Sequence, residues 1–151
     1  MADLLSFKTT GSAVKPKKIK DMKSARDRIV SALEKQMGYW KAYSVNEDYS
    51  DIKYAGKEGK RSLWFKKMDL TNDYMLKISL SNISIYASDK AREKGENWFY
   101  DIPKSEMATT MEDTKKSIEA GNWDSIIQPA LDELLKNLKK MAEKREEKRN
   151  S

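Results

Sequence analysis

The spacing of apolar residues changes twice along this chain of 151 residues, and that change constrains the fold more than any other feature. From Met22 to Trp40, apolar residues recur at intervals of three and four, as on one face of a helix. From about Arg61 the interval becomes two, which is the period of a strand with one buried face. After Ile102 the helical interval returns. This order predicts an α+β fold with an N-terminal helix, an antiparallel sheet of about four strands, and two C-terminal helices that cover one face of the sheet.

The strand region predicts a tight hairpin, because the alternation slips at one point. Leu80 and Ile83 lie three residues apart, so a continuous strand would place them on opposite faces. A two-residue turn at Ser81 and Asn82 instead makes them cross-strand partners on the same face. The predicted strands are 62–69, 74–80, 83–88 and 97–102.

Three helices are predicted around these strands. The first covers about 23–37, and Gly38 is expected to end it. The second covers 103–120 and begins at a proline. The third follows it, and Pro129 must kink it or start a new first turn. The remaining segments are predicted as one edge strand within 41–60 and a charged loop at 88–96.

Charge is segregated along the chain. The net charge is +6, from 30 Lys and Arg against 24 Asp and Glu. Residues 1–20, 57–67 and 136–151 each carry a net charge of +4, whereas 68–135 carry −6. Such segregation favours a polyanionic partner. The alternative is that lysine-rich ends simply keep a small protein soluble.

Length and composition limit the organisation and the chemistry. The length suits one domain, which we place at 21–142 between a flexible basic tail (1–20) and a charged C-terminal tail (143–151). The chain has no His and no Cys, so it lacks the commonest general base, the commonest metal ligand and any thiolate. It also has no glycine-rich phosphate loop and no nucleophile elbow. We therefore expect a non-enzymatic protein without a cofactor.

Two further features bear on ligands and location. Glu47, Asp48 and Asp51 form an acidic cluster that could bind a divalent cation through oxygen ligands, although acidic loop residues are usually just solvated. No stretch approaches the about 18–20 apolar residues of a membrane span. The first residues lack the basic and apolar regions of a secretory signal. The expected location is the cytoplasm.

One face of the predicted sheet combines aromatic and basic residues. If Phe65 and Leu76 face the helices, then Trp64, Lys66 and Lys77 lie on the opposite face. Aromatic rings stack on unpaired bases, while Lys and Arg neutralise phosphates. The predicted nucleic-acid contacts are Trp64, Lys66, Lys77, Tyr86, Lys90, Arg92, Lys94 and Trp98, with the basic segment 57–61 at the margin.

Two points about this face stay open in the sequence. The strand 97–102 is aromatic on both faces, so that either Trp98 and Tyr100 or Phe99 can join the basic face. The alternative to nucleic-acid binding is that Trp64 and Tyr86 pack under a helix or in a dimer interface, since aromatic side chains are usually buried.

The last helix carries a second candidate surface. Its apolar residues are spaced four, three, four and three, as in the a and d positions of a coiled coil. This seam indicates either packing on the sheet or an interface with a second copy or a protein partner. Its residues are Ile127, Leu131, Leu134, Leu138 and Met141.

The order of elements between Ser62 and Ile118 resembles the fold of the single-stranded-DNA-binding transcriptional coactivators, which also occurs in some phage proteins. The most similar piece is 85–118: a strand, a basic loop, an aromatic strand and a helix that starts at a proline. Members of that family are dimers that hold unpaired DNA on curved sheets with basic and aromatic residues. The resemblance therefore implies a phage-like homodimer that binds single-stranded DNA. The acidic second helix departs from the family, and the first and last helices are additions to it.

Overall fold

The computed structural model describes residues 18–52 and 63–150, and the statements below concern those residues. Most of the predicted N-terminal tail and the basic segment 57–61 lie outside them. The chain is an α+β protein, as the sequence predicts. Its elements are α1 (Met22–Asn46), a 3₁₀ helix (Tyr49–Asp51), β1 (Phe65–Lys67), β2 (Tyr74–Lys77), β3 (Ser79–Leu80), β4 (Ile83–Ser84), α2 (Asp89–Lys94), β5 (Trp98–Ile102), α3 (Lys104–Glu119) and α4 (Asp124–Asn150).

Helix α1 is longer than the sequence predicts. A capping box formed by Asp21 and Ser24 starts it, and it passes through Gly38 to a left-handed C-cap at Glu47, with φ of 53°. Its buried stripe continues through Trp40 and Tyr43, so packing carries the helix past the glycine. The predicted end at Gly38 is therefore wrong. No strand lies between residues 41 and 52, so the prediction of an edge strand within 41–60 is wrong for that part of the chain. The rest of the predicted strand lies outside the described residues.

The strands form two antiparallel sheets rather than one. The larger has the order β1-β2-β5, and the smaller pairs β3 with β4. The predicted hairpin is present, with Leu80 opposite Ile83 and a turn in which Ser81 has φ of 56°. The predicted strand 74–80 is divided, because β2 ends at Lys77 and β3 begins at Ser79.

Strand β5 contains an irregularity that matters for the site. Tyr74 pairs with Ile102, but Leu76 pairs with Phe99, so Tyr100 and Asp101 together oppose the single residue between. Asp101 has φ of 62°, as expected where a β-bulge accommodates an extra residue.

The charged segment after β4 is a short helix rather than the predicted loop. The side chain of Ser88 accepts a hydrogen bond from the backbone N–H of Ala91 and caps the helix. Gly95 ends it in the left-handed conformation, with φ of 70°, which glycine adopts without strain. The prediction missed this helix because six residues are too few for an apolar period to show.

The helices pack around α1 on one side of the larger sheet. Trp40 of α1 makes edge-to-face contacts with Phe65 and Tyr74, at centroid distances of 5.2 and 4.9 Å. Helix α3 runs antiparallel to α1 and is tied to it by two ion pairs, Lys104 to Glu47 at 2.9 Å and Lys115 to Glu34 at 3.2 Å.

Only the first half of helix α4 packs against the rest of the described protein. It begins at Asp124, which forms a two-pronged ion pair with Arg26 of α1, and it contains Pro129 within one continuous helix. Its first half packs on α1, β3 and β4. From residue 136 to residue 150 every residue is exposed.

Candidate nucleic-acid interface

The two faces of the sheet β1-β2-β5 differ sharply in exposure. Phe65, Tyr74 and Leu76 point toward the helices and are at most 2% exposed. On the other side, Lys66 is exposed and Lys77 is half-buried. We call this second side the open face, and its residues are Lys66, Met75, Lys77, Trp98 and Tyr100.

Strand register brings the residues of the open face together. Lys66 pairs with Met75, and Lys77 pairs with Trp98. The Lys77 ammonium lies 5.2 Å from the centroid of the Trp98 ring, within the range of a cation–π interaction. Neighbouring strands are about 4.8 Å apart and every second residue about 7 Å, so the open face measures about 10 by 7 Å.

The indole of Trp64 is buried, and the prediction that it is exposed on the open face is wrong. The side chain is only 6% exposed and belongs to the hydrophobic core. Its backbone N–H donates a hydrogen bond of 2.9 Å to the side-chain oxygen of Gln36 on α1. Strand β1 starts one residue later, at Phe65. The Trp64 carbonyl nevertheless accepts a hydrogen bond of 2.7 Å from the Lys77 N–H, so the pairing with β2 reaches this residue. Alternation along a strand assigns a face, but it does not tell whether other segments cover the side chain.

The structure resolves which aromatic residues of β5 face solvent. Phe99 packs against the core and lies 5.8 Å from Trp123. Trp98 is half-buried on the open face, and Tyr100 beside it is 51% exposed. Tyr100 is absent from the predicted contacts. The left-handed Asp101, which marks the bulge next to it, carries no clear signal in the sequence.

A second cation–aromatic pair lies next to the short helix α2. The guanidinium of Arg92 is 5.8 Å from the centroid of Tyr86 and also pairs with Asp89 at 3.4 Å. Lys90 and Lys94 on the same helix are exposed. Asn97, just before β5, donates a hydrogen bond of 2.9 Å to Ser84 in β4, which ties the chain near Tyr86 to the start of β5.

The acidic cluster near the end of α1 is committed to structural contacts. Glu47 bridges Lys104 and Lys67, and the hydrogen bond from Lys104 is the main reason that its pKa is lowered. Asp48 accepts hydrogen bonds from Ser50, which lower its pKa and cap the 3₁₀ helix. Asp51 accepts a hydrogen bond from Asn46. Among residues 18–52 and 63–150, no group of three or more Asp, Glu, His or Cys is arranged to hold a metal ion.

Buried phenols sit on the opposite side of the sheet from the open face. The hydroxyls of Tyr43 and Tyr74 are 3.1 Å apart. Burial is the main cause that raises the pKa of both groups, and of the neighbouring Tyr49. A tyrosine is protonated at neutral pH even without such a shift, so these phenols act as hydrogen-bonding groups of the core.

The coiled-coil seam predicted on α4 is divided between the core and solvent. Ile127, Leu131 and Leu134 are at most 9% exposed and pack within the chain, as the packing interpretation of their spacing expects. Leu138 and Met141 are 44% and 52% exposed. Only these two residues of the seam remain accessible to a partner.

Comparison with known proteins finds no relative of this chain. Searches against protein-family models, curated proteins and solved structures find no match. Within the described part of the chain, no helix is long and apolar enough to cross a membrane.

Proposed function

We propose that this protein binds single-stranded nucleic acid on the open face, without enzymatic activity and with little sequence preference. The observation that carries the proposal is the placement of Trp98 and Tyr100 beside Lys66 and Lys77 on the side of the sheet away from α1, where, among residues 18–52 and 63–150, Lys66 and Tyr100 are exposed and the other two half-buried. Aromatic rings and ammonium groups that alternate on a β-surface are the combination that unpaired, phosphate-linked bases require.

The two rings and the two ammonium groups of the open face each have a role in this proposal. Trp98 and Tyr100 stack on successive bases, and every base offers a ring face, so the stacking tolerates any sequence. Lys66 and Lys77 contact the phosphates. Lys77 already lies over the indole, so that the positive charge is held where the strand passes. Duplex DNA is a poorer ligand, because its base faces are covered by stacking.

The pair of Tyr86 and Arg92 extends the surface toward α2. Lys90 and Lys94 add exposed positive charge there, where a strand that leaves the open face meets further cations. Arg92 shares its charge with Asp89, so we assign it a smaller contribution than Lys77.

The direct test is a fluorescence-anisotropy titration of a labelled single-stranded oligonucleotide at several salt concentrations. We expect log K to fall linearly with log salt. Trp98→Ala should weaken binding by about 5- to 150-fold, the equivalent of one lost stacking interaction of about 1–3 kcal/mol. Trp98→Phe should retain most of the affinity.

The matched control separates the open face from general positive charge. Lys77→Gln and Lys35→Gln remove the same charge, but Lys35 is an exposed residue of α1 away from the face. Only Lys77→Gln should make the slope of log K against log salt less steep. Absence of binding by the wild-type protein at low salt, or equal effects of the two lysine variants, would refute the proposal.

A protein-interaction role is the second candidate, and the exposure of Leu138 and Met141 favours it. In that case α4 would bind a second copy or a protein partner. Leu138→Glu should then lower the oligomeric mass in light scattering, while Trp98→Ala should leave it unchanged. A monomeric wild-type protein would remove the homodimer from consideration.

A further inference from the structure

A groove of about 400 Å³ lies between α1 and α3. Its floor is apolar, because it is formed by Trp40 and Met111, which are at most 4% exposed. Met37 of α1 and Ala108 of α3 line it nearer to solvent, half-buried and exposed respectively. Concave sites of about 300–1,000 Å³ with a mainly apolar lining are typical of small-molecule binding. We call this site the helix groove.

The helix groove is open at Gly38, which lies inside α1 and lines it. Glycine is among the least favourable residues in the interior of a helix. A glycine there is often explained by the close approach of a second backbone. That explanation does not apply here, because a Cβ atom at Gly38 would meet no other atom within 4 Å. The glycine therefore leaves open space beside α3.

Lys41 is the charged residue that lines the helix groove. It is exposed, and it takes part in none of the ion pairs among the described residues. The residues three and four positions away on α1, where an acidic partner would stand, are Met37, Gly38, Ser44 and Val45. Its ammonium group is therefore available to an anion bound in the groove.

We propose that the helix groove binds a small aromatic molecule that carries an anionic group. The ring rests over the apolar floor beside Met37, whose thioether makes favourable contacts with aromatic rings. The anionic group meets the ammonium of Lys41. The hydroxyl of Ser44 donates to the Lys41 carbonyl at 3.3 Å, so its lone pairs can accept a hydrogen bond from the ligand. The site lies between two helices and does not depend on the proposed function of the sheet.

The charges around the groove favour an anion over a cation. Glu34 of α1 pairs with Lys115 at 3.2 Å, and Glu112 of α3 pairs with Lys116 at 4.0 Å. Neither glutamate lines the groove, so a cationic ligand would meet Lys41 and no carboxylate among the lining residues. The size favours a small molecule, because a stable protein partner needs an interface of more than about 1,000 Å².

The test uses two fluorescent probes and the full-length chain. The probes are 8-anilinonaphthalene-1-sulfonate and N-phenyl-1-naphthylamine, which have the same rings and differ in the sulfonate group. The anionic probe should bind more tightly at low salt. Lys41→Gln should weaken its binding about two- to fivefold, as expected for an ion pair at an exposed rim, and should leave the neutral probe unchanged. Lys35→Gln is the matched control, because it removes the same charge from an exposed position of α1 that does not line the groove.

Two further variants fill the groove from either side. Gly38→Leu and Ala108→Leu should each weaken the binding of both probes by at least about tenfold. Ser31→Leu adds the same side chain at an exposed position of α1 outside the groove and should leave both affinities unchanged. Leucine has a high helix propensity, and far-UV circular dichroism checks that each variant is folded. Having two filling variants keeps the test decisive if one of them fails to fold.

Four results would overturn the inference. They are no binding of either probe by the wild type up to about 1 mM, unchanged binding by a folded filling variant, equal effects of Lys41→Gln on the two probes, and equal effects of Lys41→Gln and Lys35→Gln on the anionic probe. A fifth concerns the apolar residues near the start of the chain. If L4S/L5S/F7S strengthens the binding of both probes about tenfold, the chain itself competes for the groove, and its occupant is that segment.

Discussion

The hydrogen bond between Gln36 and the backbone of Trp64 offers a test of what holds the chain before β1 against α1. Gln36 is 4% exposed in the middle of α1, and its side-chain oxygen accepts the Trp64 N–H at 2.9 Å. The bond fixes the chain just before β1 against the helix. Gln36→Met removes the acceptor but keeps a similar volume and a similar helix propensity.

The size of the effect follows from the burial of the donor. A buried N–H that loses its partner costs about 1–3 kcal/mol, because water cannot replace the acceptor. In a chain of this length each kcal/mol corresponds to about 2–4 °C in the melting temperature. We therefore expect Gln36→Met to lower the melting temperature by about 2–12 °C.

Urea denaturation and amide hydrogen exchange measure this prediction. The urea midpoint should fall with an unchanged m-value, and the Trp64 amide should exchange faster. The matched control is Gln128→Met on α4, where an exposed side chain donates to Asp132 at 2.8 Å and its loss should change stability by less than about 0.5 kcal/mol. Equal midpoints for the two variants would refute the assignment of the bond as a structural tether.

The remaining predictions concern single residues. Trp64→Ala should lower the free energy of unfolding by about 3–5 kcal/mol in urea denaturation, while the oligonucleotide affinity of the folded protein stays within about twofold. Gly38 lies inside a helix with open space around its missing side chain, so Gly38→Ala should stabilise the protein by about 0.5–1 kcal/mol. The hydrogen bond from Arg26 lowers the pKa of Asp124. The stability from this pair is therefore present above the ordinary aspartate pKa and is lost as the pH falls through the lowered value, and Asp124→Asn should flatten the acid limb of a stability–pH profile.

The sequence predicts the order of elements because apolar periodicity reports which side of each element is buried. The hairpin at Leu80 and Ile83 is predicted correctly from the slip in alternation. The end of α1 is not, because Gly38 weakens a helix by only about 1 kcal/mol. The contacts of Trp40 and Tyr43 with the sheet outweigh that penalty, and such contacts between distant segments are not visible in a local pattern.

The open face could be predicted only in part for a related reason. Alternation places Lys66 and Lys77 on it correctly, because both lie inside strands. It predicts an exposed indole at Trp64, whose side chain is buried. It leaves Tyr100 undecided, because β5 has aromatic residues on both faces. Alternation assigns residues to faces, but it does not report which of them other segments of the chain cover.

The position of the lysines distinguishes the two functional candidates. The centres of protein–protein interfaces are depleted of lysine, because its ammonium must lose water without a matched partner. On the open face, the Lys77 ammonium instead lies 5.2 Å from the centroid of the Trp98 ring, and Lys66 pairs with Met75 in the adjacent cross-strand row. A flat protein partner would bury both charges, whereas a phosphate backbone supplies an anion for each while the bases reach Trp98 and Tyr100. The mixture of rings and cations within two adjacent rows therefore favours a nucleic-acid strand as the ligand of this face.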